Sequence, residues 1–338
     1  MSGSSTPPIL SVEGLTTEFR VSGTWHEAIR DLSFSVQPNE TLAIVGESGC
    51  GKSITALSIM QLINKSQGRI SKGRIMFEGR DLTACSEQEM EKVRGDALAM
   101  IFQEPMTSLN PVMSIGFQIA ESVRYHRSVS KRDANKRALE LLELVKIPSA
   151  ARRFDDYPHQ FSGGMRQRVM IAMALACEPK LLLADEPTTA LDVTIQVQIL
   201  ALLADLKETK QMGMVFITHN LGVVASIADR VAVMYGGRII EEADVLSLFD
   251  NPTHPYTEAL LKSMPRVDQA RSELHPIAGQ VPPITVEMPG CRYADRCPLR
   301  EARCDVATPP LTPLAGKPGH RVRCWVRAES PLLEAVAS

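Results

Sequence analysis

The chain has 338 residues, enough for one large domain or for a large domain and a smaller one. Hydrophobic residues make up 44% and charged residues 22%, as in globular proteins that bury a sizeable core. A formal net charge of -2 argues against a dedicated nucleic-acid binder, which would carry a basic excess. The longest apolar stretch, 169–177, is far shorter than the roughly 18 residues of a membrane-spanning helix. Residues 1–8 lack the pattern of a signal peptide, so we expect a disordered lead on a cytosolic protein.

Short apolar runs alternate with helical patterns from about residue 9 to residue 249, which is typical of an α/β fold. The runs 41–45, 181–184 and 214–217 are nearly all apolar and predict buried parallel strands. Each run ends in polar residues, and ligands of open α/β sheets bind at the carboxyl ends of the strands. Functional residues are therefore expected where these three strands end.

The periodicity divides the chain into three regions, which we predict as a lead (1–8), a main domain (9–250) and a C-terminal tail (251–338). Within the main domain, about 104–177 is predicted to be a helical subdomain. Ser130 and Asp133 resemble a helix capping box, and apolar residues follow at helical spacing. Helices are also predicted over 54–63, 166–177 and 256–264. Beyond residue 265 prolines are dense and periodicity is poor.

A glycine-rich segment follows the first predicted strand and precedes a predicted helix. It fits the spacing G-x-x-x-x-G-K-[ST], with Gly46, Glu47, Ser48, Gly49, Cys50, Gly51, Lys52 and Ser53. Glycines let the backbone curl so that successive N–H groups point at phosphate oxygens, and the next helix adds its positive dipole end. The pattern predicts that Lys52 contacts the β- and γ-phosphates of a nucleotide and that Ser53 binds Mg²⁺, with Ile54 completing the phosphate-binding segment.

Two carboxylates follow the second predicted strand. Asp185 can hold the Mg²⁺ water shell, and the adjacent Glu186 can polarise an attacking water as a general base. Alone, such a strand end is explained equally well by solvation of two acidic side chains. With a phosphate-binding loop in the same chain, it indicates a site that hydrolyses a nucleoside triphosphate.

Further segments occur in a characteristic order: Gln103 near a strand end, then Ser162, Gly163, Gly164 and Met165 before a helical run, then Asp192, then His219. Together with the phosphate loop, this order resembles the nucleotide-binding subunit of ABC transporters over about residues 9–250. The resemblance implies an α/β P-loop NTPase (ABC ATPase) core. It also implies an N-terminal antiparallel β subdomain, a helical subdomain insert and a small, irregular C-terminal domain that contains cysteines.

In such ATPases two ATP molecules lie between two head-to-tail subunits. The resemblance implies that the segment 162–165 faces the γ-phosphate held by the other subunit, and that Asp192 lies in the loop crossing the interface. His219 would contact the γ-phosphate and help to place Glu186 and the water. Gln103 would contact Mg²⁺ or the water. Without the other motifs, His219 would be predicted as an ordinary histidine at a strand end.

The chain departs from the family pattern at two positions: Met165 replaces the usual glutamine, and Asn220 stands where aspartate is common. Met165 loses a side-chain donor but leaves the helix-end N–H groups, and we expect little effect of Asn220. An aromatic residue before the phosphate loop usually stacks on adenine. Trp25 is our choice, with Phe19 and His26 as alternatives, and an aromatic edge residue of the sheet is nearly as good an explanation.

Residues 251–257, Leu260 and Leu261 and the proline-rich tail are similar to the dipeptide/oligopeptide importer branch, in particular to the first of its two ATPase subunits. This resemblance implies a heterodimer with a second, paralogous ABC ATPase, two membrane permease subunits and an extracytoplasmic solute-binding protein. It places the chain peripherally on the cytoplasmic face of the inner membrane. Nickel chelates or glutathione are alternative substrates. A soluble ABC ATPase of DNA repair or translation is disfavoured, because sustained heptads and a basic excess are lacking.

The tail carries four cysteines at the spacing C-x5-C-x6-C-x19-C, namely Cys291, Cys297, Cys304 and Cys324. Four thiolates can hold Zn²⁺ or a [4Fe–4S] cluster, and zinc sites usually have closer cysteine pairs. The wide spacing therefore favours the larger cluster, which related importer ATPases are thought to carry. Zinc and unligated thiols are the alternatives, and His320 is a spare candidate ligand.

Overall fold

The computed structural model describes residues 7–104, 108–188, 191–264 and 277–329. Most of the predicted lead and the motif positions 105–107 and 189–190 lie outside the described residues. The chain divides into two units. The first comprises Met1–Ser11, Ser35–Thr41 and Met76–Ile217, and the second comprises Val12–Phe34, Leu42–Ile75 and Thr218–Ser338.

Strands and helices alternate through most of the chain, as the apolar pattern predicts. The strands are β1 (Leu10–Val21), β2 (Thr24–Val36), β3 (Thr41–Val45), β4 (Gly68–Phe77), β5 (Arg80–Asp81), β6 (Leu98–Ile101), β7 (Leu181–Asp185), β8 (Gly213–Thr218), β9 (Arg230–Tyr235), β10 (Arg238–Asp244), β11 (Thr312–Pro313) and β12 (Arg321–Val322). The α-helices are α1 (Lys52–Ile59), α2 (Glu87–Val93), α3 (Ile115–Arg127), α4 (Lys131–Leu144), α5 (Ala150–Arg153), α6 (Gly163–Ala174), α7 (Val193–Lys210), α8 (Leu221–Ile227), α9 (Val245–Asp250), α10 (Pro255–Lys262), α11 (Arg303–Val306) and α12 (Trp325–Glu329). Short 3₁₀ turns occupy Leu82–Ala84, Pro158–Gln160 and Ala294–Arg296.

The first unit contains three parallel strands in the order β8-β7-β6. Leu98 lies opposite Leu181, and Leu181 lies opposite Gly213, so the three strands end at the same edge. All residues of β6, β7 and β8 are buried. A nearly continuous apolar run is what a parallel strand needs when both faces of its sheet are covered.

The helical subdomain of this unit packs α3, α4 and α6 against one another. The Ser130 hydroxyl caps α4 by accepting the N–H of Asp133 at 3.2 Å, as its sequence predicts. Ala138, Leu141 and Leu142 are buried on one face of the same helix. The predicted helix and its apolar stripe are therefore confirmed.

The second unit contains a sheet in which β1 lies between β2 and β4. The turn between β1 and β2 consists of Ser22 and Gly23, both with positive φ. Two such residues form the turn that suits an antiparallel hairpin. A second sheet of this unit contains β3, parallel to β9, and then β10 and β12, each antiparallel to its neighbour.

The predicted strands are confirmed, since β3 spans 41–45 and β7 and β8 exceed their predicted bounds by only one or two residues. The helix expected over 54–63 is shorter and shifted: α1 begins at Lys52, because the phosphate loop leads straight into the first helical turn, and it ends at Ile59. Among the described residues, none of the helices is long and apolar enough to cross a membrane.

Candidate functional site

The phosphate loop begins where β3 ends and closes at the first turn of α1. Gly46 has φ +151°, and a Cβ there would lie 2.3 Å from the carbonyl oxygen of Met234. Gly51 has φ +107°, and a Cβ there would lie 2.7 Å from Ile29 Cδ1. The neighbour of Gly46 is a backbone atom that cannot give way, and the φ of Gly51 is one that other residues rarely adopt, so the backbone path favours glycine at both positions.

Lys52 is 6% exposed and lies inside the loop. Its Nζ donates to the carbonyl oxygens of Gly46 at 2.8 Å and Glu47 at 3.1 Å. Cys50 Sγ lies 3.9 Å from the same Nζ, and burial raises the pKa of this thiol. The loop thus wraps a lysine ammonium group that is held by backbone carbonyls, and Ser53 and Ile54 follow it in the first turn of α1.

The loop belongs to the second unit, and three further groups of that unit hold it in place. The Cys50 carbonyl accepts the N–H of Gly237 at 2.9 Å, and the Glu47 N–H donates to the Tyr256 hydroxyl at 2.9 Å. The Arg296 guanidinium donates to both carboxylate oxygens of Glu47, at 2.8 and 3.0 Å. Sequence reasoning missed Tyr256 and Arg296 as site residues, because they stand 209 and 249 positions from Glu47 and no spacing rule reaches that far.

The acidic pair lies at the end of β7 in the first unit. Asp185 is 4% exposed and is the last residue of the strand. Glu186 has φ +46°, and its N–H donates to the carbonyl oxygen of Ile217 at 2.9 Å. Gln103 Nε2 approaches Glu186 Oε2 at 3.4 Å. The structure therefore brings together the predicted base and the predicted glutamine.

Two helix N-termini of the first unit carry the next predicted residues. Ser162 caps α6, and its hydroxyl accepts the N–H of Met165 at 3.4 Å. Gly163 and Gly164 form the first turn, and a Cβ on Gly163 would meet no atom within 4 Å. Asp192 caps α7 by accepting the N–H of Ile195 at 2.9 Å. The expected helix N-terminus at Ser162 thus exists, and the space beside Gly163 is open.

His219 in the second unit is exposed and follows β8. The adjacent Asn220 caps α8, its Oδ1 accepting the N–H groups of Gly222 at 3.0 Å and Val223 at 3.4 Å. Asparagine and aspartate serve equally well as helix N-caps, so this role is kept despite the departure from the family pattern. Trp25 lies in β2, where the Arg69 guanidinium sits 4.3 Å from its ring centroid, so one ring face has a cationic neighbour.

Comparison with known proteins identifies the family. The ABC transporter family matches residues 29–189, and the family described as oligopeptide/dipeptide transporter, C-terminal region, matches residues 240–304. A probable peptide ABC transporter ATP-binding protein of Sinorhizobium fredii is 51% identical over 318 residues, covering 94% of each chain. The dipeptide transport ATP-binding protein DppD of Bacillus subtilis is 48% identical, covering 97% of this chain and 98% of that protein. The chain belongs to the dipeptide/oligopeptide importer branch of the ABC transporter ATP-binding subunits.

Solved structures agree with the ABC ATPase fold of the chain. A dimeric ATP-binding cassette in a post-hydrolysis state, bound to ADP and Pi, is similar with a TM-score of 0.64 at 27% identity. That likeness covers 70% of this chain and 98% of the cassette. The cbiO1 protein of Clostridium perfringens, part of an ABC transporter complex, has a TM-score of 0.62 at 27% identity, over 73% of this chain and 92% of that one. The predicted ABC ATPase fold is confirmed, and the chain is an ATPase whose family uses ATP with Mg²⁺.

The four tail cysteines of this importer ATPase line one cavity of about 10 Å³. A cavity of this size has room for about one water molecule. Within the ranges that the structure describes, no group of three or more His, Cys, Asp or Glu side chains is arranged to hold a metal ion. The expectation of a [4Fe–4S] cluster, or of zinc, at Cys291, Cys297, Cys304 and Cys324 is not supported by this geometry.

Burial also affects the protonation of the tail thiols. Burial raises the pKa of Cys291 to about 11, and it also raises the pKa values of Cys297 and Cys324. The neutral thiol is favoured in such surroundings, so a metal ion that bound here would have to displace the thiol protons. His320, the spare candidate ligand, instead pairs through Nε2 with Glu241 Oε1 at 2.7 Å.

Proposed function

We propose that this chain binds Mg-ATP at the loop 46–53 and hydrolyses it to drive uptake of dipeptides or oligopeptides through separate membrane subunits. The phosphate loop supports the proposal most directly. The loop offers backbone N–H donors and the buried ammonium group of Lys52. It also leads into the N-terminus of α1. These groups together favour a polyphosphate anion.

The individual roles follow from the chemistry of each side chain. Lys52 would neutralise the β- and γ-phosphates, and Ser53 and Asp185 would hold the Mg²⁺ ion, with Gln103 contacting the ion or the water. Glu186 would act as the general base, since a carboxylate next to a strand end can take a proton from an attacking water. His219 would contact the γ-phosphate, and Trp25 would stack on the adenine.

The assembly is proposed from the resemblance and from the relatives. A second, paralogous ATPase would pair head-to-tail with this chain, so that each Ser162 helix end faces the ATP of the other subunit and Asp192 lies in the interface. Two permease subunits and an extracytoplasmic solute-binding protein would complete the importer. The relatives named as peptide or dipeptide transport proteins favour peptides as the cargo. The chain would then lie peripherally on the cytoplasmic face of the inner membrane.

Peptide uptake by cells expressing the complete importer tests this function. The substitution Lys52→Ala removes the cation from the loop and is expected to abolish both Mg-ATP binding by the purified chain and peptide uptake. Lys65→Ala, at an exposed lysine of the following loop, is the control and should transport normally. Uptake at the wild-type rate by the Lys52→Ala importer would refute the proposed site.

A further inference from the structure

Glu47, the first variable position of the phosphate loop, is the point where the C-terminal tail contacts the loop. Its carboxylate accepts two hydrogen bonds from Arg296, its N–H donates to the Tyr256 hydroxyl, and its carbonyl accepts from Lys52. One residue therefore links the lysine of the loop to two side chains of the region beyond residue 251. The sequence alone shows none of these contacts.

The Arg296 guanidinium forms hydrogen bonds with several groups in this position. Besides Glu47, it donates to the carbonyl oxygens of Ala278 at 2.7 Å and Ile277 at 3.3 Å, and to the Tyr235 hydroxyl at 3.2 Å. All five of its N–H directions are thereby used, and its side chain is only 7% exposed. A bidentate arginine–carboxylate pair fixes geometry as well as charge, because the planar fork matches both oxygens at once.

The surroundings make this pair rigid. The rings of Tyr235, Tyr256 and Tyr293 pack edge to face, with centroids 4.8 to 5.4 Å apart. The Arg296 guanidinium lies 5.7 Å from the centroid of the Tyr235 ring and 5.8 Å from that of the Tyr293 ring. Tyr256 is fully buried. The Tyr256 hydroxyl, which accepts the Glu47 N–H, is therefore held in place by a packed aromatic cluster.

Charge explains why the contact matters for a nucleotide. Glu47 places a carboxylate within a loop whose proposed ligand is a polyphosphate, and an unpaired carboxylate there would repel it. Arg296 neutralises that carboxylate and turns it toward the tail.

We propose that Arg296, assisted by the Tyr256 hydroxyl, is a positioning residue through which the C-terminal tail sets the nucleotide affinity of the phosphate loop. The proposal rests on the proposed binding of Mg-ATP at this loop. It gives the tail of the importer ATPase a role in the ATP site.

Calorimetric titration of the full chain with Mg-ATP and with Mg-ADP tests the proposal. Arg296→Gln is expected to raise the Kd for both nucleotides about tenfold, the effect of losing a charge-assisted pair. Both nucleotides should weaken equally, because the loop backbone holds the α- and β-phosphates that they share. Arg296→Lys keeps the charge but only a single contact, and should restore part of the affinity.

The matched control is Arg292→Gln. Arg292 is a buried arginine of the same tail, and its guanidinium donates to the carbonyl oxygens of Pro282, Pro283 and Val286. Its substitution should leave both Kd values within about twofold, since it perturbs the tail without contacting the loop. An equal loss in Arg292→Gln and Arg296→Gln would overturn the proposal and show general damage to the tail.

Two further variants keep the test decisive if Arg296→Gln folds poorly. Tyr256→Phe removes only the oxygen that accepts the Glu47 N–H, whereas Tyr293→Phe removes a hydroxyl from the neighbouring ring of the same cluster. The first should weaken nucleotide binding several-fold and the second should not. Wild-type affinity in both Tyr256→Phe and Arg296→Gln would overturn the proposal.

The double variant Glu47→Gln/Arg296→Gln tests whether the two residues act as a unit. It should bind Mg-ATP at least as tightly as Arg296→Gln, because the second change only removes an unpaired carboxylate. A weaker double variant, or a loss confined to ATP, would contradict the proposal. Lys52→Ala separates the two claims: if it abolishes binding while Arg296→Gln does not alter it, the nucleotide site stands and the positioning role fails.

Discussion

Glu186 adopts a left-handed backbone conformation that residues other than glycine rarely take. Its φ is +46°, and the hydrogen bond from its N–H to Ile217 holds the turn. Strained positions of this kind concentrate at functional sites, where the surrounding structure determines them. Here the strained turn comes directly after Asp185 and carries a carboxylate in contact with Gln103.

The proposed role of this carboxylate as a general base leads to a prediction for Glu186→Gln. The amide keeps the size and the contact with Gln103 but cannot accept a proton. ATP hydrolysis by the assembled importer should fall at least about 10²-fold, whereas Mg-ATP binding is retained. Single-turnover hydrolysis and calorimetric binding, measured on the same preparation, check both halves. Near-wild-type turnover would show that another group takes the proton.

His254 gives the tail a pH dependence with a definite sign. Burial lowers the pKa of this imidazole to about 4, and its Nδ1 accepts the N–H of Tyr256 at 3.0 Å. The unfolded chain takes up a proton near the ordinary pKa of about 6.5, whereas the folded chain excludes it. The contribution of His254 to the free energy of unfolding is therefore fully present above about pH 6.5 and is lost as the pH falls toward 4.

We predict that lowering the pH from 7 to 5 costs the wild type about 2 kcal/mol more than His254→Asn. Asparagine can still accept the Tyr256 N–H but does not titrate. Thermal unfolding of the two proteins at a series of pH values measures the difference. Parallel pH profiles would mean that His254 does not supply this dependence.

At the scale of elements, the sequence predicts the strands of the ATPase core well because each is a short apolar run that ends in a polar motif. Thr41–Val45 matches β3 at both ends, and the helical stripe of α4 has its predicted cap at Ser130. These features depend on residues close together in the chain. The Arg296–Glu47 pair, the sharing of one cavity by the four cysteines and the pairing of His320 with Glu241 depend on tertiary packing, which spacing alone does not contain.

The cap of α7 provides the prediction at this scale. The family resemblance implies only a place in an interface loop for Asp192, yet its carboxylate also accepts the Ile195 N–H. Asp192→Ala should destabilise the first turn of α7 by about 1 kcal/mol. This corresponds to an increase of about fivefold in the equilibrium constant for local opening of that turn. Hydrogen exchange of the backbone N–H groups in 193–196 reports it. Asp192→Asn retains the acceptor and should exchange like the wild type, and unchanged protection in Asp192→Ala would exclude the capping role.

For the whole molecule, the tail is continuous with the ATPase core of the second unit. Its strand β12 extends the β9–β10 pair, the buried Glu241 accepts from His320, and Arg323 donates to the carbonyl oxygen of Ile239 at 2.9 Å. These contacts are buried, so the tail forms part of the folded core and is more than an appended linker. Loss of tail contacts should therefore affect the phosphate loop 46–53 as well as the free energy of unfolding.

The open helix end at Ser162 sets an expectation for the complete transporter. If this end must meet the phosphate of an ATP bound to another subunit, an isolated chain lacks part of its catalytic site. Turnover per chain should then be low in dilute solution and should rise steeply on addition of the partner ATPase, because pairing is a bimolecular step. Steady-state hydrolysis over a hundredfold range of concentration, with and without the partner, measures this. Turnover per chain that is high and independent of concentration would show that a single chain holds a complete site.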